Sequence, residues 1–200
     1  MQDIIHHLER DPHQQFLKWY DYAMDKGYGE ANAFSLSTVG KDGRPHSRVL
    51  LWKGMNQGRF CFYTNYDSNK AIQMQQNPFV AMNFYWWLPI GYQVRIEGKA
   101  EKLSRQDSEK YFLSRPRESR LSAWASAQSQ PLANRQALEE DIQSAQDRFA
   151  GKEVPCPENW GGYGVTADYF EFMILDKYRA HDRFVYCKQG SLWSVQRLAP

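Results

Sequence analysis

The period of the apolar positions changes several times along this chain, and each change marks a new element. Asp11 and Pro12 read as a helix cap and first helical residue, after which Phe16, Trp19, Tyr20 and Ala23 recur at helical spacing as far as Gly27. From residue 33 the pattern shortens to strands: "AFSLSTV", the turn "GKDG", "HSRVLLWK", the turn "GMNQG", then "RFCFYT". These predict a three-stranded antiparallel meander over 33–64. "DSNKAIQMQQ" predicts a short helix capped by Asp67 or Ser68 and stopped before Asn77-Pro78. "FVAMNFYWW" and "YQVRIEGKAEKL" are two more strands, joined through "LPIG". Residues 104–150 turn mostly helical, with Ser104 and Asp107 resembling a capping box and "LANRQALEEDIQSAQDRFAG" an amphipathic helix closed by Gly151. Three strands close the chain: "YFEFMIL", "RFVYC" and, beyond the turn "KQGS", "LWSVQRL". Short antiparallel strands with interposed helices predict one α+β domain over 1–200, mainly antiparallel β and barrel-like, with 1–10 as a mobile N-terminal segment.

Composition narrows the class. A chain of 200 residues that is 42% hydrophobic and 15% aromatic buries a core of its own and is not disordered. A net charge of +2 does not suggest a nucleic-acid partner. Cys61, Cys156 and Cys187 are far apart and odd in number, which fits a reducing compartment and neither a zinc site nor a disulfide framework. No apolar run approaches the ~18 residues of a membrane span, and "MQDIIHHLER" lacks the apolar core of a signal peptide, so a cytoplasmic protein is expected. His6, His7 and His13 lack a third ligand at sensible spacing, so no metal site is expected. "WGGYG" is not a dinucleotide fingerprint and reads as preceding a strand, and "FYWW" reads as core or dimer interface before it reads as a base-stacking surface.

Four segments carry candidate chemistry. In "RAHDRF", Arg179, His181 and Arg183 alternate, so an extended backbone lines all three on one face, either a solvated edge or an anion socket. Lys70 lies in the first turn of the "DSNKAIQ" helix beside Ser68 and Asn69, where free N–H groups favour an anion; an ordinary capped surface helix has the same look. In "KYFLSRPRES", Pro116 breaks the chain at Arg115, and Tyr111 and Ser119 stand one turn away on either side. That is a phosphate clamp or a charged helix-to-helix corner. "RVLLWK" is bracketed by Arg48 and Lys53, which point to opposite faces of a regular strand, so one of them lies at a bend or the two serve different groups.

Taken in order, "RVLLWK", "FYTN" followed by "NKA", "QVRIEGKAEKLS", "YFLSRPRES", Gln128-Ser129, "WGG", "RAHDRF" and the closing "RLAP" resemble the FMN-dependent pyridoxamine/pyridoxine 5′-phosphate oxidases, from about residue 11 to Pro200. The resemblance implies an FMN-binding split β-barrel with peripheral helices, a homodimer with two FMN molecules at the subunit interface. It implies oxidation of a phosphorylated vitamin B6 substrate to pyridoxal 5′-phosphate, with molecular oxygen as acceptor and hydrogen peroxide as product. It assigns FMN to Arg48, Val49, Leu50, Leu51, Trp52 and Lys53, to Tyr63 and Thr64, and to Asn69 and Lys70. Gln93, Gln128, Ser129, Met173 and Arg183 complete the cofactor set, while Lys53, Tyr111, Arg115 and Ser119 fall to the substrate. Arg179 and His181 are the implied catalytic pair, positioning substrate and easing its deprotonation, so the basic row faces two phosphorylated ligands. Three features depart from the family pattern: Asn69 where an arginine is common, Met173 where a tryptophan often packs by the flavin, and a short N-terminus without an arginine-rich segment. They leave room for another substrate, as in the related oxidases of phenazine biosynthesis. A non-catalytic flavin- or haem-binding split barrel is the other alternative, but it has no need of the Tyr111–Arg115–Ser119 clamp.

Overall fold

The computed structural model describes residues 4–87, 90–190 and 192–200, so the first residues of the N-terminal segment and parts of the "LPIG" and "KQGS" connections lie outside it. Helix α1 (Pro12–Asp25) begins where the Asp11 carboxylate accepts the His13 N–H at 2.9 Å, and it buries Phe16, Trp19 and Ala23. Phe16 meets the rings of Trp52, Phe60 and Phe84 edge-on at 4.9–5.1 Å. Burying one phenylalanine contributes roughly 1.5–3 kcal/mol, and each such aromatic pair adds about 0.5–1.5 kcal/mol. Ahead of the helix, Glu9 N–H donates to Gln15 Oε1 (2.9 Å) and the Glu9 carbonyl accepts from the Tyr186 hydroxyl (2.7 Å), which ties the N-terminal segment to the core.

The strands are β1 (Ala33–Val39), β2 (Pro45–Leu51), β3 (Met55–Asn56), β4 (Arg59–Asn65), β5 (Phe79–Trp86), β6 (Tyr92–Lys102), β7 (Trp160–Ile174), β8 (Asp182–Gln189) and β9 (Leu192–Leu198). They form one antiparallel sheet in the order β2-β1-β5-β6-β7-β4-β3, with β8 on β7 and β9 on β8. Helix α2 (Asn69–Gln76) follows β4, and α3 (Arg105–Ser114), α4 (Arg117–Ala125) and α5 (Arg135–Arg148) lie between β6 and β7. Phe112, Leu121 and Ala145 from these last three helices and Phe149, the C-cap of α5, form a small second core with Trp160. Among the described residues no helix is long and apolar enough to cross a membrane.

The expected meander is only half present. β1 pairs with β2, but β4 pairs with β3 and β7 instead of closing against β2. Burial matches the exchange. β4, flanked in the sheet by β3 and β7, is buried at Phe60, Cys61 and Phe62 in succession, whereas β2 leaves Val49 exposed at the sheet edge. The chain leaves β2 through Gly54, at φ 87°, a conformation that costs glycine nothing.

β7 borders three strands. Residues 160–165 pair with β4 and residues 169–174 with β8, while β6 follows the opposite edge from Tyr163 to Ile174. The change of partner coincides with a bulge, where Glu97 faces Tyr169, Gly98 faces Ala167 and Asp168 is left over. "WGGYG" lies inside β7 and does not precede it. Gly161 and Gly162 stand where a Cβ would strike the side chains of Tyr66, and of Tyr63 and Leu103, respectively. Glycine's low strand preference hides this requirement in the sequence pattern.

At Gly98 a Cβ would strike the Thr166 carbonyl oxygen and lie 2.8 Å from Ala167 Cα, and neither backbone atom can swing aside. Gly98→Ala should therefore cost about 3 kcal/mol, at the upper end of overpacking penalties. Urea unfolding measures it, and a midpoint equal to wild type would mean that the bulge adapts freely.

Candidate functional site

A cavity of about 630 Å³ opens where the end of β2, the middle of β4 and the α3–α4 corner meet. Tyr111, Arg115 and Ser119 all line it, together with Lys53, Tyr63 and Trp160. Pro116 arranges the corner as its chemistry requires: Arg115, the C-cap of α3, takes extended backbone angles, and Pro116 caps α4. The rings of Tyr63 and Tyr111 stack at 3.8 Å, and Tyr63 lies 5.6 Å from Trp160. Burial pushes the Tyr63 phenol up to about 12, with the neighbouring Cys61 and Tyr111 adding to the rise, so it remains a donor. The Arg115 guanidinium lies 4.8 Å from the Trp160 ring, and its buried Nη1 has no hydrogen-bond partner. A buried donor left unpaired costs about 1–3 kcal/mol, so this nitrogen calls for an acceptor from a ligand.

A second cationic centre adjoins the same cavity. Lys70 Nζ is buried and donates to Gln128 Oε1 (2.9 Å), Thr64 Oγ1 (3.0 Å) and Ser68 Oγ (3.1 Å), all of them neutral. Thr64 and Gln128 line the cavity. Arg48 lies nearby, donating to Thr38 Oγ1 (2.6 Å), to the Leu36 carbonyl (3.2 Å) and to Gln73 Oε1 (3.2 Å). Among the described residues no carboxylate pairs with Lys70, Arg48 or Arg115. Burial, reinforced by the charge of Arg48, pulls Lys70 down to about 8. Ser68 caps α2 without a side-chain bond to the helix's main-chain N–H groups, and the Asn69 N–H at the helix start donates to Ser129 Oγ (3.3 Å). Ser129 is held at φ 71° in the loop after α4, beyond the reach of any pattern read from sequence. The parity question of "RVLLWK" is answered by a bend. Arg48 sits in β2 with its side chain toward Thr38 and Gln73, while Lys53 lies past the strand end and lines the cavity. Val49, Leu50 and Leu51 also line it, whereas the Trp52 ring is buried among Phe16, Tyr20 and Phe60.

The remaining sequence-derived residues gather elsewhere. Gln93, Met173 and Arg183 stand opposite one another on β6, β7 and β8, so their side chains share the outer face of the sheet. Neither these three nor Arg179 and His181 line the cavity. The alternating basic row is not formed. β8 starts only at Asp182, and Arg179 sits in a turn at φ 62°. Asp176 builds that turn: its carboxylate accepts the Tyr178 N–H (2.8 Å), its carbonyl accepts the Arg179 N–H (3.2 Å), and its own N–H donates to His181 Nδ1 (2.9 Å). These local bonds compete with the strand ladder and win. They also set the histidine tautomer. A main-chain N–H only donates, so Nδ1 carries no proton and neutral His181 presents Nε2–H as a donor. Sequence reasoning passed over Glu171, which accepts from Arg183 Nε at 2.7 Å, although a single acid inside the apolar strand "YFEFMIL" was a visible signal. Among the described residues no group of three or more His, Cys, Asp or Glu side chains is placed to hold a metal ion.

Residues 21–149 match the family described as pyridoxamine 5′-phosphate oxidase, and residues 160–200 match the pyridoxine 5′-phosphate oxidase C-terminal dimerisation region. The chain belongs to the pyridoxamine 5′-phosphate oxidase family. The pyridoxine/pyridoxamine 5′-phosphate oxidase of Rippkaea orientalis is 44% identical over 194 residues, covering 96% of this chain and 91% of the relative. PhzG from Burkholderia lata 383, solved in complex with tetrahydrophenazine-1-carboxylic acid, superposes with a TM-score of 0.89 at 26% identity, covering 96% and 94% of the two chains. A pyridoxamine 5′-phosphate oxidase-related, FMN-binding protein from Nostoc punctiforme shares the fold, with a TM-score of 0.75 at 19% identity over 95% and 98%. The architecture is thus the split barrel of this oxidase family, α+β with a mainly antiparallel sheet. Met173, Arg179, His181 and Arg183 all fall in its dimerisation region.

Lys70 gives the anion site a pH signature. Its depressed value means that the ligand-free fold loses stability as pH falls from about 10.5 through about 8, because the buried ammonium must then carry its charge. A docked phosphate stabilises that charge, so its affinity should fall about tenfold between pH 7 and pH 9 as the lysine deprotonates. Fluorescence titration with flavin mononucleotide tests this, with Lys70→Met expected to be weaker and flat over the range. Equal affinity at both pH values in the wild type would remove Lys70 from the site.

Proposed function

We propose that the chain is an FMN-dependent oxidase of pyridoxamine and pyridoxine 5′-phosphates, acting as a homodimer. Pyridoxine 5′-phosphate and oxygen give pyridoxal 5′-phosphate and hydrogen peroxide; the amine substrate also consumes one water and releases ammonia. The observation that carries this reading is the pair of uncompensated cationic centres beside one cavity, Lys70 with Arg48 behind its Thr64 and Gln128 wall and Arg115 in its lining. Each phosphate monoester brings roughly −1.5 to −2 charges, and two such ligands side by side account for both centres. Lys70, Thr64, Ser68 and the α2 N-terminus fit the flavin phosphate. Arg115, Lys53, Tyr111 and Ser119 fit the substrate phosphate.

The placement of the site residues supports the dimer. Gln93, Met173 and Arg183 share one face of β6, β7 and β8, and none of them lines the cavity that Val49 and Leu51 border. Met173 and Arg183 fall in the region matched as a dimerisation region, so a second copy of that region supplies these groups to a flavin ring lying against Val49 and Leu51. FMN, when bound, supplies the two-electron acceptor that the side chains lack. The protein's part is orientation. Arg115 anchors the substrate phosphate, Arg179 brings a charge from its exposed turn, and His181 donates from Nε2 to an acceptor on the substrate. With Nδ1 occupied by the Asp176 N–H, His181 orients the substrate and does not take its proton.

Pyridoxal 5′-phosphate and peroxide formed by FMN-loaded protein incubated aerobically with pyridoxamine 5′-phosphate test the reading. Arg115→Met should raise KM for the phosphorylated substrate roughly 30-fold, the loss of about 2 kcal/mol from a charge-assisted contact, and leave turnover of unphosphorylated pyridoxamine unchanged. The likeness to PhzG carries the competing reading, a carboxylate-bearing phenazine precursor as substrate; no pyridoxal 5′-phosphate formed, with oxidation of such a precursor, would establish it. His181→Gln, which keeps a donor near Nε2, should lose less than about tenfold in kcat, and His181→Phe about a hundredfold. Equal loss in both variants would return His181 to the role of base.

A further inference from the structure

Among the described residues Glu171 is the one buried carboxylate, with its side chain 3% exposed. It lies on β7, two residues before Met173 and on the same face, opposite Arg95 of β6 and Val185 of β8. Its Oε1 accepts from Arg183 Nε at 2.7 Å, and its Oε2 accepts from Arg95 Nη1 at 2.9 Å and from the Tyr169 hydroxyl at 3.0 Å. Arg183 Nη1 is spent on the Ala199 carbonyl (3.2 Å), which leaves Nη2 without a partner among the described residues. Arg95 is engaged on its other side by Glu97 at 2.7 Å. Burial alone would push the Glu171 carboxyl up, but the bonds from Arg183 and Tyr169 and the charge of Arg95 hold it below the usual range.

Burying a charge costs several kcal/mol unless it is fully paired, and an apolar cluster of the same volume stabilises a fold as well or better. The network on β6, β7 and β8 is therefore informative for its geometry more than for its stability. Two carboxylates, Glu97 and Glu171, balance two guanidinium groups, Arg95 and Arg183, whereas the cationic centres beside the cavity have no carboxylate at all.

We propose that Glu171 is a positioning residue for the flavin: it locks Arg183 through Nε, so that the one unpartnered guanidinium nitrogen beside Met173 meets the flavin ring in a fixed direction and with its charge largely balanced. The inference rests on the oxidase reading above. In the dimer the ring receives a directed hydrogen-bond donor and little net field, while the phosphates receive the uncompensated charge.

The test uses the FMN-loaded dimer. Glu171→Gln keeps the shape and removes the charge, so Arg183 becomes a freer and uncompensated cation beside the ring. The flavin midpoint potential should shift to a more positive value, kcat should fall about tenfold, and KM for the phosphorylated substrate should not move, because Arg115 holds the phosphate. Glu171→Asp keeps the charge but withdraws it by one methylene; it should lower kcat while leaving the potential near wild type, and it serves where Glu171→Gln does not fold. In an Arg183→Gln background, Glu171→Gln should have no further effect on potential or kcat, whereas a merely structural carboxylate would act additively there. Variants of Glu171 that lower the melting temperature but leave potential and kcat at wild-type values would overturn the positioning role. A wild-type protein that binds no FMN would instead overturn the reading beneath it.

Discussion

The bend in β7 is the constraint on which the rest of the molecule depends. One 15-residue strand serves β4 along residues 160–165 and β8 along residues 169–174, and the leftover Asp168 beside Gly98 accommodates the change of partner. Backbone meets backbone at that point with no side chain between them. Through this bend the first half of β7 places Trp160 beneath Arg115 and leaves room for Tyr63, while its second half sets Glu171 and Met173 on the outer face. Both halves of the chemistry therefore hang on one strand. Only the first half borders the cavity, and the two halves belong to one site only across the proposed dimer.

Charge is distributed to match. Beside the cavity, Lys70, Arg48 and Arg115 are bonded to neutral oxygens, to aromatic faces or to nothing, and each pays for its burial with a lowered pKa. On the dimerisation side, the guanidinium groups of Arg95 and Arg183 are matched by carboxylates. Unmatched buried cations are costly until an anion arrives, so they favour phosphates strongly and ring edges weakly. Matched ones offer direction with little field. A flavin mononucleotide and a phosphorylated substrate, the ligands of the proposed reading, carry both kinds of surface, and in that reading the two regions divide them accordingly.

Much of this was legible in the sequence, and the limits have physical causes. The Asp11–Pro12 cap, the break at Pro116 and the capping role of Ser68 or Asp67 rest on bonds among near neighbours, and α1, α2 and the α3–α4 corner form where those signals stand. The convergence of Tyr111, Arg115 and Ser119 follows from one helical turn on each side of a proline, so spacing sufficed. The alternating row of "RAHDRF" failed because Asp176, three residues ahead of it, claims the backbone for a turn. The meander failed because strand pattern does not name a partner: the edge of β4 pairs with β7, about a hundred residues later, and not with β2.

By itself the sequence determined the elements, their caps and the inventory of cations, because these depend on residues within a turn or two of one another and on composition. The tertiary structure alone decided which strands pair, that Lys70 and Arg48 share one uncompensated centre, that Arg183 is held by Glu171, and that Gln93, Met173 and Arg183 gather away from the cavity. Those are contacts between residues from about a dozen to more than a hundred positions apart, fixed by strand pairing and burial. No local spacing encodes them.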